Sequence, residues 1–182
     1  MKSWRITISL VLGLFLAACL PPTPTLTPTL PPTSTPTPTS TPTLTPCEGS
    51  TSQELTEQMW EAYTRGDYEK ALACTYELEQ RWTLQAREQQ AKKAQSDCDY
   101  TPDPNNRTES DSFWADYWAL NDVAIGWFVR GEILRKQVQC AEARAAYKEV
   151  IDDYSCAYAW DPKGWFWKIA DGAQNGYSMD CP

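Results

Sequence analysis

A run of prolines and threonines between Leu20 and Pro46 sets the strongest limit on what this chain can fold into. Ten of the 14 prolines in the 182-residue chain fall in this segment, which carries no charged residue. Repeated proline removes backbone hydrogen-bond donors, and the segment has too few apolar residues to bury a core. We therefore expect an extended spacer, at about 3.1 Å per residue roughly 80 Å long, and a globular domain confined to residues 47–182. Whether the spacer is O-glycosylated stays open.

The segment before the spacer has the features of an export signal. Two basic residues precede an apolar run that ends in small residues and is too short to cross a bilayer. Its end, Leu16-Ala17-Ala18-Cys19, resembles the lipobox of bacterial lipoproteins. That resemblance implies a signal peptide over residues 1–18, acylation of Cys19 at the start of a linker over 19–46, and attachment to a membrane by lipid alone. The alternative is an ordinary secretory signal that happens to precede a cysteine.

The charge of the chain lies almost entirely in the domain after the spacer. Residues 47–182 hold all 24 acidic residues and 14 of the 16 basic ones, a net charge of −10. Such a domain is repelled by phosphates and by anionic lipid headgroups, so we expect no nucleic acid partner.

The cysteines of the domain predict disulfide bonds. An even number of cysteines in an exported chain is typical of a disulfide framework, and six allow fifteen connectivities. Some free buried thiols remain as an alternative. A zinc site is disfavoured because the chain has no histidine and no pair of cysteines separated by two residues. The candidates for three disulfides are Cys47, Cys74, Cys98, Cys140, Cys156 and Cys181.

Apolar spacing in the domain predicts five helices. The sequence shows no sustained alternation of apolar and polar residues and no hairpin turn between strand-like runs, so no strand is predicted. Thr51 and Glu54 have the capping-box spacing, and Asp161-Pro162 is typical of a helix start. The expected helices run from Thr51 to Gly66, from Asp67 to a polar end near 87–93 that is solvated or frays, from about Ser112 to Lys136, from Ala141 to Tyr154, and from Pro162 to about Gly176, where Asn175-Gly176 forms the cap. The predicted fold class is all-α, with a loop from Asp97 to Asp111.

The third helix is expected to be central because it is apolar on more than one side. Its tryptophans, Trp114, Trp118 and Trp127, are then expected to fill the core.

Two segments of the domain also match each other at an offset of 72 residues. The best local matches are Gly66 to Ala71 in the first and Ala143 to Tyr147 in the second. The coinciding positions are Leu55, Met59 and Ala62 with Trp127, Gly131 and Leu134, then Tyr68, Ala71, Thr75 and Leu78 with Cys140, Ala143, Tyr147 and Val150.

Each segment is a helix pair with small residues where the helices cross, and it resembles the tetratricopeptide repeat. The resemblance implies about two and a half antiparallel helix pairs and a groove that binds a protein or peptide. Met59 stands where the family prefers glycine, Cys140 replaces an aromatic residue, and about twenty extra residues separate the units. A general disulfide-bonded helical bundle is the alternative.

Three tryptophans near the end of the chain are the candidate binding surface. Trp160, Trp165 and Trp167 lie close in sequence, and exposed indoles stack on sugars or anchor protein partners. In a helix Trp165 and Trp167 would diverge by about 160°, which would leave one of them exposed.

The residues give little support for catalysis. A histidine-based triad is excluded by composition, and neighbouring acids such as Asp152 and Asp153 do not define the two-carboxylate geometry of glycoside hydrolysis. No EF-hand pattern is present. We therefore expect a non-catalytic interaction module with no cofactor and no metal, lipid-anchored in the bacterial cell envelope, that binds a protein or peptide. The alternatives are a glycan-binding lipoprotein and a hydrolase with two converging acids.

Overall fold

The computed structural model describes residues 46–181. The predicted signal peptide, Cys19 and the spacer up to Thr45 lie outside the described residues. Within them, no helix combines the length and hydropathy needed to cross a membrane. The elements are α1 (Ser52–Arg65), α2 (Tyr68–Ser96), α3 (Arg107–Lys136), α4 (Cys140–Asp153), β1 (Tyr158–Asp161), β2 (Trp165–Lys168) and α5 (Ile169–Ser178).

The boundary between α1 and α2 is where the sequence predicts it. Thr51 and Glu54 form a complete capping box at the start of α1, which satisfies backbone N–H groups that have no partner within the helix. Gly66 ends α1 in the left-handed region, at φ 78°, which glycine adopts without steric cost. Asp67 then accepts a hydrogen bond from the N–H of Lys70 and starts α2. The short turn makes α1 and α2 antiparallel neighbours.

The third helix starts earlier than predicted. Asn106 caps α3 by accepting a hydrogen bond from the N–H of Glu109, so the helix begins at Arg107 and not near Ser112. The loop after α2 is correspondingly shorter than the predicted 97–111. The sequence prediction placed the start of α3 where apolar periodicity begins, and the charged residues of its first turn lack that periodicity. The cap depends only on the side chain of Asn106.

The helices form two antiparallel pairs and a single last helix. The pair of α1 and α2 packs on the pair of α3 and α4 through α2 and α3, and α5 packs on α4 and α3. At 29 and 30 residues, α2 and α3 are about twice as long as α1 and α4, at 14 each. The predicted helical fold is confirmed.

Tyr147 marks the place where α3, α4 and α5 meet. Its side chain is fully buried, and its hydroxyl donates a hydrogen bond to Glu132 Oε1 at 2.6 Å. A Cβ atom added at Gly131 or Gly176 would lie 2.6 or 2.5 Å from the ring, so both glycines are needed for the close approach. Gly176 thus lies inside α5 and faces Tyr147, whereas the sequence interpretation placed it in a helix cap.

Three disulfides join distant parts of the domain. They are Cys47–Cys74, Cys98–Cys156 and Cys140–Cys181, with sequence separations of 27, 58 and 41. In the chain-entropy description, loops of this length each add about 4 kcal/mol to stability. The prediction of three disulfides is confirmed. Because disulfides persist in oxidising compartments, the domain belongs outside the cytoplasm.

The last predicted helix is wrong over its first half. Residues 158–168 form an antiparallel hairpin in which Trp160 lies opposite Phe166 and Asp161 opposite Trp165. Asp161 caps the turn by accepting from the N–H of Lys163, and Gly164 adopts φ 105°. The Asp-Pro pair therefore starts a turn here and not a helix, which only begins at Ile169.

Candidate functional site

An open groove lies beside the N-terminal end of α1, between α2 and the first half of α3. Its volume is about 680 Å³, within the usual range for ligand pockets. Indoles and small polar side chains line it, and one residue that lines it is ionisable. The lining residues are Ser50, Thr51, Ser52, Gln53, Trp82, Trp114, Trp118 and Asp122.

A kink in α3 lies where the helix enters the groove. Tyr117 has non-helical dihedral angles, φ −130° and ψ 20°, and interrupts the hydrogen-bond ladder. The N–H of Leu120 donates instead to Gln89 Oε1 of α2, at 2.8 Å. Insertion of a side chain into the ladder is a common cause of a kink. Trp114 and Trp118 therefore lie on either side of a bend that is fixed by α2.

The three indoles of the groove are held by aromatic and cationic neighbours. Trp82 and Trp118 contact edge to face, with 6.0 Å between ring centroids. The Arg81 guanidinium lies 4.4 Å from the centre of the Trp82 ring and donates to the carbonyls of Gly49 and Ser50 at 2.6 and 2.9 Å. Arg81 thereby ties the segment before α1 to α2 and fixes one wall of the groove.

Trp114 and Trp118 are only partly buried and do not fill the core as expected, although Trp118 packs against its edge. Trp127 is partly buried as well and packs against the Arg130 guanidinium, 4.0 Å from the ring centre. The core of α3 is instead formed by smaller apolar side chains, including Leu120, Val123, Ala124, Val129 and Ile133.

Asp122 supplies the only carboxylate that lines the groove in the part of the chain that the structure describes. Its carboxylate accepts a hydrogen bond from the hydroxyl of Ser52, the first residue of α1. Burial raises the pKa of Asp122 to about 6, although hydrogen bonds from the Ser52 and Thr56 hydroxyls act in the opposite direction. At neutral pH the groove therefore contains a partly desolvated negative charge.

A smaller cavity of about 190 Å³ adjoins the groove and shares Trp114 and Asp122 with it. Asn121 lines this cavity and is 2% exposed. Its Oδ1 accepts from the N–H of Tyr158 at 2.9 Å, which fixes the orientation of the amide. Within residues 46–181 its Nδ2 has no hydrogen-bond partner, so a buried donor is available at the cavity wall.

The hairpin divides the three predicted site tryptophans between two faces. Trp160 shares one face with Phe166, 5.0 Å away between ring centroids, and lines the smaller cavity. Trp165 and Trp167 share the other face because they are two residues apart in a strand. Trp167 packs on Phe128 of α3, at 5.4 Å, whereas Trp165 is 46% exposed and has Lys163 above its ring.

A buried lysine lies at the other end of α2, which was expected to be solvated. Lys93 is 1% exposed, and its ammonium donates to the carbonyls of Asp97 and Tyr100 at 3.2 and 3.0 Å. Aromatic rings surround it, with those of Phe113 and Tyr117 at 5.0 and 5.1 Å. Burial lowers the pKa of Lys93. These contacts close the end of α2 and give the lysine a structural role.

Two of the paired acids of the sequence, Asp97 and Glu109, line a second cavity of about 510 Å³ at the far end of α2, whereas Asp152 and Asp153 lie elsewhere. Asp153 pairs with Arg87 at 2.8 Å, Asp99 pairs with Lys168, and Glu109 accepts from the Tyr100 hydroxyl. Over residues 46–181, no group of three potential ligands is arranged to hold a metal ion.

The groove brings together residues that the sequence interpretation assigned to other roles. Thr51 was interpreted as part of a helix start, and Trp114 and Trp118 as core residues. A carboxylate at Asp122 between apolar positions of α3 was the one signal in the sequence that could have marked the site, because charges are rarely buried without a partner. Comparisons of the chain with models of protein families, with curated proteins and with solved structures found no match.

Proposed function

We propose that this protein is a non-catalytic binding protein, lipid-anchored in the cell envelope, that holds a peptide segment of another envelope protein in the groove of Trp82, Trp114 and Trp118. The observation that carries the proposal is the grouping of three partly exposed indoles around one carboxylate in an open concave site. Aromatic anchors in partly desolvated pockets supply most of the affinity in many protein interfaces.

The shape and charge of the site favour a peptide. The groove opens to solvent, and its volume exceeds that of one side chain. Thr51 accepts from the N–H of Glu54 and Gln53 donates to Glu57, which leaves the Thr51 hydroxyl as a donor and the Gln53 amide oxygen as an acceptor for a peptide backbone. The acidic charge of the domain disfavours nucleic acid.

The position of the domain fits display at a surface. The three disulfides support an extracytoplasmic location. A lipid on Cys19 would hold the protein at a membrane, and the spacer over 20–46 would let the groove reach partners roughly 80 Å away.

The number of carboxylates in the groove does not fit the hydrolase alternative. Glycoside hydrolysis uses two acids across a cleft, whereas Asp122 is the one acid among the described residues that line the groove.

Glycan binding is the second candidate function, and it is favoured by the exposure of two hairpin indoles. Trp160 and Trp165 are 43% and 46% exposed, and such rings offer flat apolar faces to sugars. Because they lie on opposite faces of the hairpin, each would act alone.

The test is a binding measurement with the full chain purified in detergent. Random heptapeptide pools and soluble cell-wall oligosaccharides are titrated against the wild type, Trp118→Ala and Trp165→Ala. The proposal expects peptides to bind and Trp118→Ala to weaken them about tenfold, with Trp165→Ala unchanged as the matched control. Binding of oligosaccharides alone, lost in Trp165→Ala, would replace peptide binding with the second candidate.

A further inference from the structure

The charge in the groove has no partner of its own. Asp122 makes no ion pair with any lysine or arginine in the described part of the chain. Buried carboxylates are normally paired or hydrogen-bonded, because desolvation of an unpaired charge is costly. The hydroxyls of Ser52 and Thr56 hydrogen-bond the carboxyl, but both are neutral groups, so no positive charge compensates Asp122.

The cations close to the groove are engaged elsewhere. Arg81 is held by the carbonyls of Gly49 and Ser50 and by the face of Trp82. Lys92, on the same helix, lies 3.8 Å from Asp116. Neither is therefore placed to neutralise Asp122.

The walls of the groove also suit a cation. Trp82, Trp114 and Trp118 surround the site, and indole is the aromatic side chain that attracts cations most strongly through the negative face of its ring. The stacking of Arg81 on Trp82 shows that one indole already takes part in such a contact. A ligand with a positive group and an apolar stem would satisfy both the carboxylate and the rings.

We propose that the groove recognises a lysine side chain of the bound peptide, with the ammonium at the carboxylate of Asp122 and the methylene stem along Trp114 and Trp118. This proposal rests on the proposed function and names the residue that the peptide must carry. The site would be completed by the ligand, since the ammonium provides the positive charge that the chain itself does not place there.

The free acceptors of the site select lysine over arginine. Oδ2 of Asp122 already accepts from the Ser52 hydroxyl, and the Thr56 hydroxyl bonds the carboxyl as well, which reduces the acceptor capacity left for a ligand. Arginine pairs best with a carboxylate through two parallel hydrogen bonds, whereas an ammonium is a compact charge that needs one acceptor. A carboxylate that two hydroxyls already bond therefore fits lysine better than arginine.

The neighbouring cavity provides a place for the peptide backbone. Asn121 Nδ2 is a buried donor without a partner among residues 46–181, and it lines the cavity that shares Trp114 and Asp122 with the groove. A backbone carbonyl of the peptide would satisfy it. This contact would hold the chain beside the lysine and would favour a peptide over a free amine.

The experiment compares heptapeptide pools that are random except at the centre, which is lysine, arginine, norleucine or glutamate. Binding to the full chain in detergent is measured by calorimetry at pH 7.5. We expect the lysine pool to bind at least about tenfold more tightly than the norleucine pool. We expect the Asp122→Asn variant to lose this preference, and the matched control Asp111→Asn, which removes an exposed charge from the same helix, to retain it.

The outcomes separate the two proposals. Equal binding of the lysine and norleucine pools, both weakened by Trp118→Ala, would overturn the lysine inference and leave peptide binding in place. A preference for arginine or glutamate would also overturn it. Failure of every pool to bind would overturn both.

Discussion

The hydroxyl of Ser52 donates a hydrogen bond to the carboxylate of Asp122, although the two residues are 70 positions apart. Ser52 opens α1 and Asp122 lies in the middle of α3, so this bond joins the two elements that form the floor of the groove. Both partners are polar groups withdrawn from water, and their position is therefore sensitive to any shift of α1 against α3.

The first prediction is that Asp122→Asn stabilises the ligand-free protein at pH 7.5, by about 3 kcal/mol. Burial raises the pKa of Asp122 from 3.8 to about 6, so the folded state favours the protonated form. The stability gained by protonation is fully present below pH 3.8 and is lost as the pH rises through 6. Asparagine stays neutral and still accepts the bond from Ser52.

Urea denaturation of the wild type and of Asp122→Asn between pH 4 and pH 7.5 measures this difference. The gain should vanish near pH 4, where the wild-type carboxyl is protonated too. A variant less stable than the wild type at pH 7.5 would show that the carboxylate is well compensated. A loss of folding stability at a residue needed for binding, as predicted here for Asp122, is a common trade-off.

The second prediction concerns the contact of Gly131 with Tyr147. Gly131→Ala should lower the free energy of unfolding by about 1–2 kcal/mol, since the new methyl would lie 2.6 Å from the ring and α3 or α4 must shift. The higher helix propensity of alanine, about 1 kcal/mol, offsets only part of this cost.

A double-mutant cycle supplies the control. In a Tyr147→Leu background, where the ring is absent, the same Gly131→Ala change should be neutral or stabilising. Equal destabilisation in both backgrounds would contradict a steric cause.

The helix ends at Thr51, Gly66 and Asp67 could be predicted because each depends on neighbouring residues alone. A cap needs one side chain and the N–H groups next to it, and both are visible in the sequence. The hairpin was missed since Asp161-Pro162 serves equally as a helix start or as the start of a turn. Contacts of Phe166 with Phe113 and of Trp167 with Phe128, remote in sequence, favour the strand.

The groove could not be predicted, because periodicity gives the face of a helix and not what covers it. Trp114 and Trp118 follow the apolar spacing of α3 and were expected in the core. Because α3 kinks at Tyr117 and the N-terminus of α1 lies beside a groove that Trp82 also lines, Trp114 and Trp118 line that groove instead. The kink and the groove depend on how three helices pack together, and the apolar spacing within one helix carries no information about that packing.

The third prediction is that Lys93→Met destabilises the domain although methionine keeps the apolar stem. The change removes the hydrogen bonds from the ammonium to the carbonyls of Asp97 and Tyr100, at a cost of about 1–3 kcal/mol. Thermal unfolding measures it, and Lys92→Met, at an exposed lysine one residue away, is the control. Equal melting temperatures for the two variants would contradict the structural role of Lys93.

The fourth prediction concerns the proposed lipid anchor at Cys19. Cys19→Ser should move the protein from the detergent phase to the aqueous phase in a phase-separation assay, because acyl chains would supply the attachment. Ser40→Ala, in the same spacer, should stay with detergent. If Cys19→Ser partitions as the wild type does, the protein is not anchored through that residue.

The most direct test of the account is to observe the tryptophan indole N–H signals by NMR while a lysine-centred heptapeptide is added to the full chain in detergent. Assignment by single Trp→Phe changes identifies each signal. The account predicts that the signals of Trp82, Trp114 and Trp118 move together and saturate, while that of Trp167, packed on Phe128, stays fixed. Movement confined to Trp165, or no movement of the three groove signals, would contradict it.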